Sequence, residues 1–205
     1  MEYRLKTLDK SVLKGVIGEH LARSFIRRTL APQLVSDEGW HHVVLSRNDY
    51  KLHSKARNKK LFSFDSFKTD FVQQGFYATK KLLARYAEVV GILTQQHCTP
   101  DGLLMKLRET GATKKLRERT VPLGARLRLD ESHRHGDRLE FPVVDGELEV
   151  VEIKCGRQAR LGSKQKETYN TLIAKGIFLR MIKVRIVSFD LNRFLVEEHR
   201  YERFL

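Results

Sequence analysis

Residues 139–156, LEFPVVDGELEVVEIKCG, restrict the fold more than any other stretch of the chain. They form two short apolar runs, rich in valine, on either side of Asp145-Gly146, and their length and composition read as strands. Asp-Gly between two such runs is a strong hairpin signal, because a type I′ turn needs positive φ at both central residues. With Asp145 and Gly146 as the turn, Val144 faces Glu147, Leu139 faces Glu152 and Asp137 faces Lys154. Residues opposite each other across a ladder share a sheet face, as do residues two apart on one strand. This register predicts that Asp137, Glu152 and Lys154 converge. A bulge at Pro142, or a slip of one residue, would send Asp137 to the other face.

The remaining segments suggest the other elements. Residues 11–30 place Leu13, Val16, Ile17, Leu21, Phe25 and Ile26 at helical spacing, and Pro32 reads as the stop. Residues 39–46 read as a strand and 47–63 as a polar, basic loop. From 67 to 96 the pattern is helical again, with Phe76, Leu82, Leu83, Tyr86, Val90 and Leu93 as the buried set. Thr99 as an N-cap and Pro100 at the first position predict a further helix through Leu103, Leu104 and Leu107 to a stop at Gly111. Residues 162–176 read as a helix ending at Gly176, and 177–189 as a strand. No internal repeat is visible.

At 205 residues the chain suits one domain with a full core. No apolar run approaches the roughly 20 residues needed to span a bilayer, and the opening residues lack a secretory pattern, so an intracellular protein is expected. Two cysteines, Cys98 and Cys155, are too few for a four-cysteine metal site and read as free, buried thiols. The formal charge of +14 implies a polyanionic partner, and nucleic acid fits best. Basic groups recur at Arg23/Arg27/Arg28, Lys55/Arg57/Lys59/Lys60 and Lys114/Lys115/Arg117/Arg119. No phosphate-binding loop precedes a Lys-Ser/Thr pair, so ATP-driven work would fall to a separate partner.

Two carboxylates and a lysine on one sheet face have a chemical use. Carboxylate oxygens are hard ligands for Mg²⁺, which takes only one or two of them beside water and substrate phosphate. A metal so held activates water and neutralises phosphate charge, while the lysine offsets developing negative charge. The alternative for the same spacing is a cross-strand salt bridge at the surface, contributing about 0–1 kcal/mol.

The series Gly136-Asp137, Glu152-Ile153-Lys154 and a helix bearing Gln165 and Tyr169 resembles the PD-(D/E)xK, restriction-endonuclease-like nuclease superfamily. The resemblance covers about 11–30 and 136–189. It implies an α/β fold with a core of helix, three-stranded meander, helix and strand, and leaves 47–135 as a mostly helical, basic insertion within one nuclease domain. It implies Asp137, Glu152 and Lys154 as catalytic residues, with one or two Mg²⁺ or Mn²⁺ ions held by Asp137, Glu152, the Ile153 carbonyl and Glu19, from GVIGEHLARSFI. Gly136 stands where the family motif has proline, and Asp145 is the rival first carboxylate. The Q-x-x-x-Y spacing of Gln165 and Tyr169 is similar to RecB-like members, and GRQARLGSKQ equally resembles Holliday-junction-resolvase-like ones. Arg157, Lys164, Gln165 and Tyr169, with Lys114, Lys115 and Arg117 in the insertion, are the expected nucleic-acid contacts. The implied activity is metal-dependent hydrolysis of DNA in repair, recombination or replication, alone, as a homodimer, or beside a helicase or other repair protein. The alternatives are a non-catalytic nucleic-acid-binding subunit of the same fold and an RNA-processing factor.

Overall fold

The computed structural model describes residues 10–46, 64–127, 131–156, 160–186 and 194–201. The elements are α1 (Lys10–Phe25), α2 (Ala31–Asp37), β1 (His42–Ser46), α3 (Phe64–Gln73), β2 (Tyr77–Ala78), α4 (Lys80–Gln95), β3 (Gly102–Arg117), α5 (Leu123–Arg126), β4 (Arg134–His135), β5 (Arg138–Cys155), α6 (Ser163–Ala174), β6 (Phe178–Ile186) and β7 (Phe194–Tyr201). They form a mixed α/β fold around one open sheet of order β1-β3-β5-β6-β7, with β2 and β4 also paired to β5. The expected loop 47–63, with its basic group, lies outside the described residues.

The sheet is organised by β5, which runs without a break through Asp145-Gly146. The expected hairpin there does not exist: Asp145 pairs with Arg108 and Gly146 with Leu107, both on β3. Gly146 serves close approach instead, because a Cβ at this position would meet the Lys106 carbonyl oxygen at 2.0 Å. The tight turn lies earlier, at Gly136-Asp137, between the paired residues His135 and Arg138. Gly136 has φ +61°, as the first central residue of a two-residue hairpin turn requires. One edge of β5 is covered by β3 from Arg138 to Val151, and the other is shared by β4, β2 and β6 in succession.

The expected helix 99–111 is also replaced by a strand, β3. Gly102–Leu107 is a continuous buried run, which suits a central strand as well as a helix, and periodicity cannot separate the two. Gly111, with φ +77°, sits at the register shift between Glu109 and Thr113 and therefore belongs to a bulge. The segment 47–135 thus contains part of the sheet itself and is not wholly an insertion. The expected helix 67–96 is split into α3 and α4 at Gly75, φ +90°.

Pro32 does not end the first helix. A five-residue π-helical turn, Ile26–Leu30, carries the chain into α2, and its widened bonding (Ala31 N–H to the Ile26 carbonyl) accommodates a residue with no N–H of its own. Val16, expected in the core, is 61% exposed. The helix expected over 162–176 is α6, and the strand expected over 177–189 is β6 as far as Ile186, residues 187–189 lying outside the described residues. Gly176, φ +74°, closes α6 in a Schellman arrangement, with Ile177 N–H on Leu172 and Gly176 N–H on Ile173.

Apolar residues pack on both faces of the sheet. One core joins α3, α4 and α6 through Phe67, Phe71, Leu83, Tyr86, Leu103, Met105, Val150 and Leu172. The opposite core joins α1 and α2 through Ala22, Ile26, Leu34, Leu104, Val151 and Ile182. On that second face Lys106, 1% exposed, is paired with Glu38 at 2.8 Å and with Glu147 and Glu149 at 3.3 Å. Arg180 holds Glu149 from β6 at 2.6 Å, and the Trp40 indole donates to Glu38 at 3.1 Å.

Gly146→Ala tests the continuous strand. Pushing the Lys106 backbone aside is expected to cost about 1–3 kcal/mol, a fall of several degrees in Tm by thermal melting. An unchanged Tm would contradict the close β3–β5 approach.

Candidate functional site

At the end of β5 the backbone brings together side chains from four elements. Glu152 and Lys154, two apart, share the face on which α6 packs, and their charges meet at 2.8 Å. Glu152 is only 3% exposed, so its carboxylate needs partners. Tyr169 Oη donates to Glu152 Oε2 at 2.6 Å and Gln165 Nε2 donates to Oε1 at 2.9 Å. These two residues lie four apart on α6 and therefore on one helix face. The Gln165 carbonyl oxygen accepts from the Gly162 N–H at 3.2 Å and lies 3.4 Å from Lys154 Nζ. Gln165 thus ties the start of α6, Glu152 and Lys154 together.

Asp137 does not join Glu152 and Lys154. That residue is exposed in the Gly136-Asp137 turn, with its carbonyl bonded to the Glu118 N–H. It lies fifteen positions before Glu152 on the same chain run, about 50 Å away at strand rise. Asp145 does not replace it, because its Oδ1 accepts from the Thr79 hydroxyl beside the start of α4. Asp101 does. It immediately precedes β3, and its Oδ2 accepts the Ile153 N–H at 2.7 Å, in line with the ladder in which Asp101 N–H bonds Val151. The N–H and C=O of one extended residue point to the same side, so the Ile153 carbonyl faces the same gap beyond the start of β3. The missed signal is Pro100-Asp101 directly ahead of the apolar run 102–107.

Glu19 reaches this gap from α1. Gly18 makes that possible: a Cβ there would meet Cys155 Cβ and Sγ at 2.7 Å, so only glycine lets α1 lie against the end of β5. Glu19, Asp101, Ile153 and Cys155 line a cavity of about 290 Å³, with Gly15 and exposed Val16 at its α1 side. Arg23, one turn after Glu19, holds the Glu19 carboxylate at 2.6 Å and also donates to the Asp101 carbonyl at 3.0 Å. The negative charge is incompletely offset at Asp101. Burial, then the charge of Glu152 and further that of Glu19, pushes its carboxyl up to about 6, against the opposing Ile153 hydrogen bond. Burial and the neighbouring Glu152 charge likewise raise the Tyr169 hydroxyl, keeping it a donor.

Several other expected contacts take different places. Tyr169 is 0% exposed, so it braces Glu152 and offers no face to a nucleic-acid strand. Lys164 is exposed at the start of α6, near the site. Lys114, Lys115 and Arg117 are exposed on the far part of β3, about 35 Å or more along the strands from Gly102. Arg157 lies outside the described residues. Cys98 is buried with its thiol pushed up by burial, whereas Cys155 is half-buried at the cavity, and neither forms a disulfide.

The donor set fits a hard divalent cation. Two carboxylates, Asp101 and Glu152, with a carbonyl facing their gap and Glu19 at its margin, are oxygen ligands of the kind Mg²⁺ or Mn²⁺ takes with water. Among the described residues, no group of three His, Cys, Asp or Glu side chains stands assembled to hold a metal on its own. Such an ion would therefore keep several ligands from water or substrate.

The raised Asp101 carboxyl has a consequence for stability. Because its folded value lies above the ordinary 3.8, the folded state is favoured below about pH 4 and loses that contribution as pH rises through about 6. Asp101→Asn, which keeps an acceptor for Ile153, is expected to raise Tm by several degrees at pH 8 in metal-free buffer and to have little effect at pH 4. Thermal melts at the two pH values check this; a lower Tm at pH 8 would contradict it. The cluster is read from its geometry alone, since the chain matches no protein-family model, no curated protein and no solved structure.

Proposed function

We propose that the chain is a metal-dependent nuclease that hydrolyses phosphodiester bonds in DNA, built on a restriction-endonuclease-like core. The observation that carries the reading is Asp101, bonded to the Ile153 N–H and within electrostatic reach of the Glu152–Lys154 pair, at the adjoining ends of β3 and β5. Asp101 follows Pro100, so the prolyl-aspartate missing at Gly136-Asp137 is present at 100–101, ahead of the Glu152-Ile153-Lys154 strand. The element order supports the same reading: α1, the antiparallel meander β1-β3-β5, α6, then β6 parallel to β5.

In this reading Asp101, Glu152 and the Ile153 carbonyl would hold Mg²⁺ or Mn²⁺, with Glu19 at the margin. The ion would supply activation of water and charge neutralisation at the phosphate. The chain's own residues do the rest. Lys154, whose ammonium is anchored between Glu152 and Gln165, places a fixed positive charge where a phosphate or attacking water would lie. Tyr169 and Gln165 hold the Glu152 carboxylate in one orientation, so little reorganisation is needed when substrate arrives. Arg23 sets the distance between α1 and the start of β3. The net charge of +14 favours a polyanionic substrate and predicts salt-sensitive binding.

The deciding assay offers labelled single-stranded, duplex, flapped and junction DNA, and RNA, with Mg²⁺, Mn²⁺ or EDTA. Wild type is expected to cut DNA only with metal. Asp101→Ala and Lys154→Ala should each lose about 10²-fold or more, whereas Asp137→Ala stays close to wild type. Binding without cutting by every protein would instead support a non-catalytic nucleic-acid subunit, and preferential cutting of RNA an RNA-processing factor. Tyr169→Phe separates support from substrate contact: it should lower kcat while leaving KM for DNA unchanged.

A further inference from the structure

A second cavity, about 340 Å³, opens at the start of α4, far from the carboxylates. Lys68, Lys80 and Lys114 line it together with Tyr77, Leu83 and Val143. Three separate elements, α3, α4 and β3, each contribute one lysine. Lys114 Nζ lies 5.9 Å from the centroid of the Tyr77 ring, which holds the ammonium at the cavity wall. The volume is that of a small-ligand pocket, lined by apolar side chains and three cations.

The charge around α4 is the reverse of what its dipole favours. A helix start prefers acidic residues, yet the first turn of this 16-residue helix has none and carries Lys80 and Lys81. Thr79 caps it, its hydroxyl accepting the Leu82 N–H at 3.2 Å while donating to Asp145. Lysines placed there add to the positive end of the dipole, and an anion bound among them would offset both.

α4 also links this cavity to the candidate active site. Its start lies at the cavity and its end leads through Cys98 to Asp101, and at about 1.5 Å per residue the 16-residue helix spans about 24 Å. The helix packs on the sheet face that carries Glu152 and Tyr169.

We propose that this cavity holds one nucleotide of an unpaired nucleic-acid strand, its phosphate among Lys68, Lys80 and Lys114 and its base against Tyr77 and Val143. The strand would then run the length of α4, about 24 Å, and on toward the carboxylate cluster. The use of the cavity as an anchor for cleavage rests on the nuclease reading, but occupancy by a strand does not.

The test measures binding of a fluorescent 20-nucleotide oligothymidylate by anisotropy, in EDTA and across a salt series, for wild type, Lys80→Gln, Lys114→Gln and Lys81→Gln. Lys81 is exposed on the next position of the helix, outside the cavity lining, and removes the same charge. Each cavity variant is expected to weaken binding several-fold and to reduce the salt slope by about 0.7, the contribution of one phosphate on a single strand. Lys81→Gln should leave the slope unchanged. Equal losses in all three variants, or none in the cavity pair, would overturn the proposal. An equal effect with a 20-base-pair duplex would replace the unpaired strand with a duplex backbone and so overturn it too. Competition by free thymidine monophosphate or inorganic phosphate as strong as by the oligonucleotide would show a small-anion site instead. Lys80 and Lys114 are both exposed, and melting curves confirm that the variants fold. The measurement contains no metal, so failure of the cleavage assay leaves this result standing, and failure here leaves the nuclease reading standing.

Discussion

A carboxylate as deeply buried as that of Glu152 survives only where donors replace the water it has lost. An isolated buried charge costs several kcal/mol, and Glu152 meets that cost with Lys154, Gln165 and Tyr169. These partners fix more than one side chain. Tyr169 and Gln165 dock α6 against the end of β5, Gln165 also ties down the start of the helix at Gly162, and α6 then feeds β6 into parallel pairing with β5. Removing Glu152 would leave a buried phenol and amide without their acceptor, so folding and the candidate chemistry lean on the same group.

The opposite sheet face has a second ionic cluster that does different work. Lys106, Glu149 and Arg180 come from β3, β5 and β6, three adjacent strands, and Glu38 and Trp40 close the cluster from the segment after α2. Burial alone would lower the Lys106 ammonium, but its Glu38 hydrogen bond and the Glu149 and Glu147 charges outweigh that and raise it. A slip of one residue in any of these strands would point one charge into the other core, so the cluster resists register errors. Three acids face two bases there, with the Glu147 side chain 55% exposed to water. The candidate site has the same count, Glu19, Asp101 and Glu152 against Arg23 and Lys154, but there burial and the Glu152 charge leave the Asp101 carboxyl pushed up.

What could be read from the sequence follows from how local each signal is. Glu152 and Lys154 share a face because of strand alternation alone, and α6 was visible from its spacing and from Gly176, so this half of the site was legible. Asp101 was not. Its carboxylate reaches Ile153 across fifty-two positions, and nothing near it specifies that pairing. The apolar run Gly102–Leu107 fits a helix when read beside Thr99 and Pro100, and becomes a strand only because β1 and β5 flank it. Asp145-Gly146 misled for the same reason. Gly146 is required by the passing Lys106 backbone, a tertiary contact, whereas the turn glycine was Gly136, whose flanking residues are too polar to look like strands.

The hairpin register expected at Asp145-Gly146 is what placed Asp137 beside Glu152. Once β5 is continuous, Asp137 and Glu152 lie at opposite ends of one strand, and only the start of an adjacent antiparallel strand can bring a carboxylate to Glu152. β3 starts there. The same geometry explains why the lysines of β3 lie far from the chemistry: an antiparallel partner that begins at the site must carry its later residues away from it. Lys114 lies instead at the cavity beside the start of α4, and the 16-residue helix separates that cavity from the Asp101 end of the sheet.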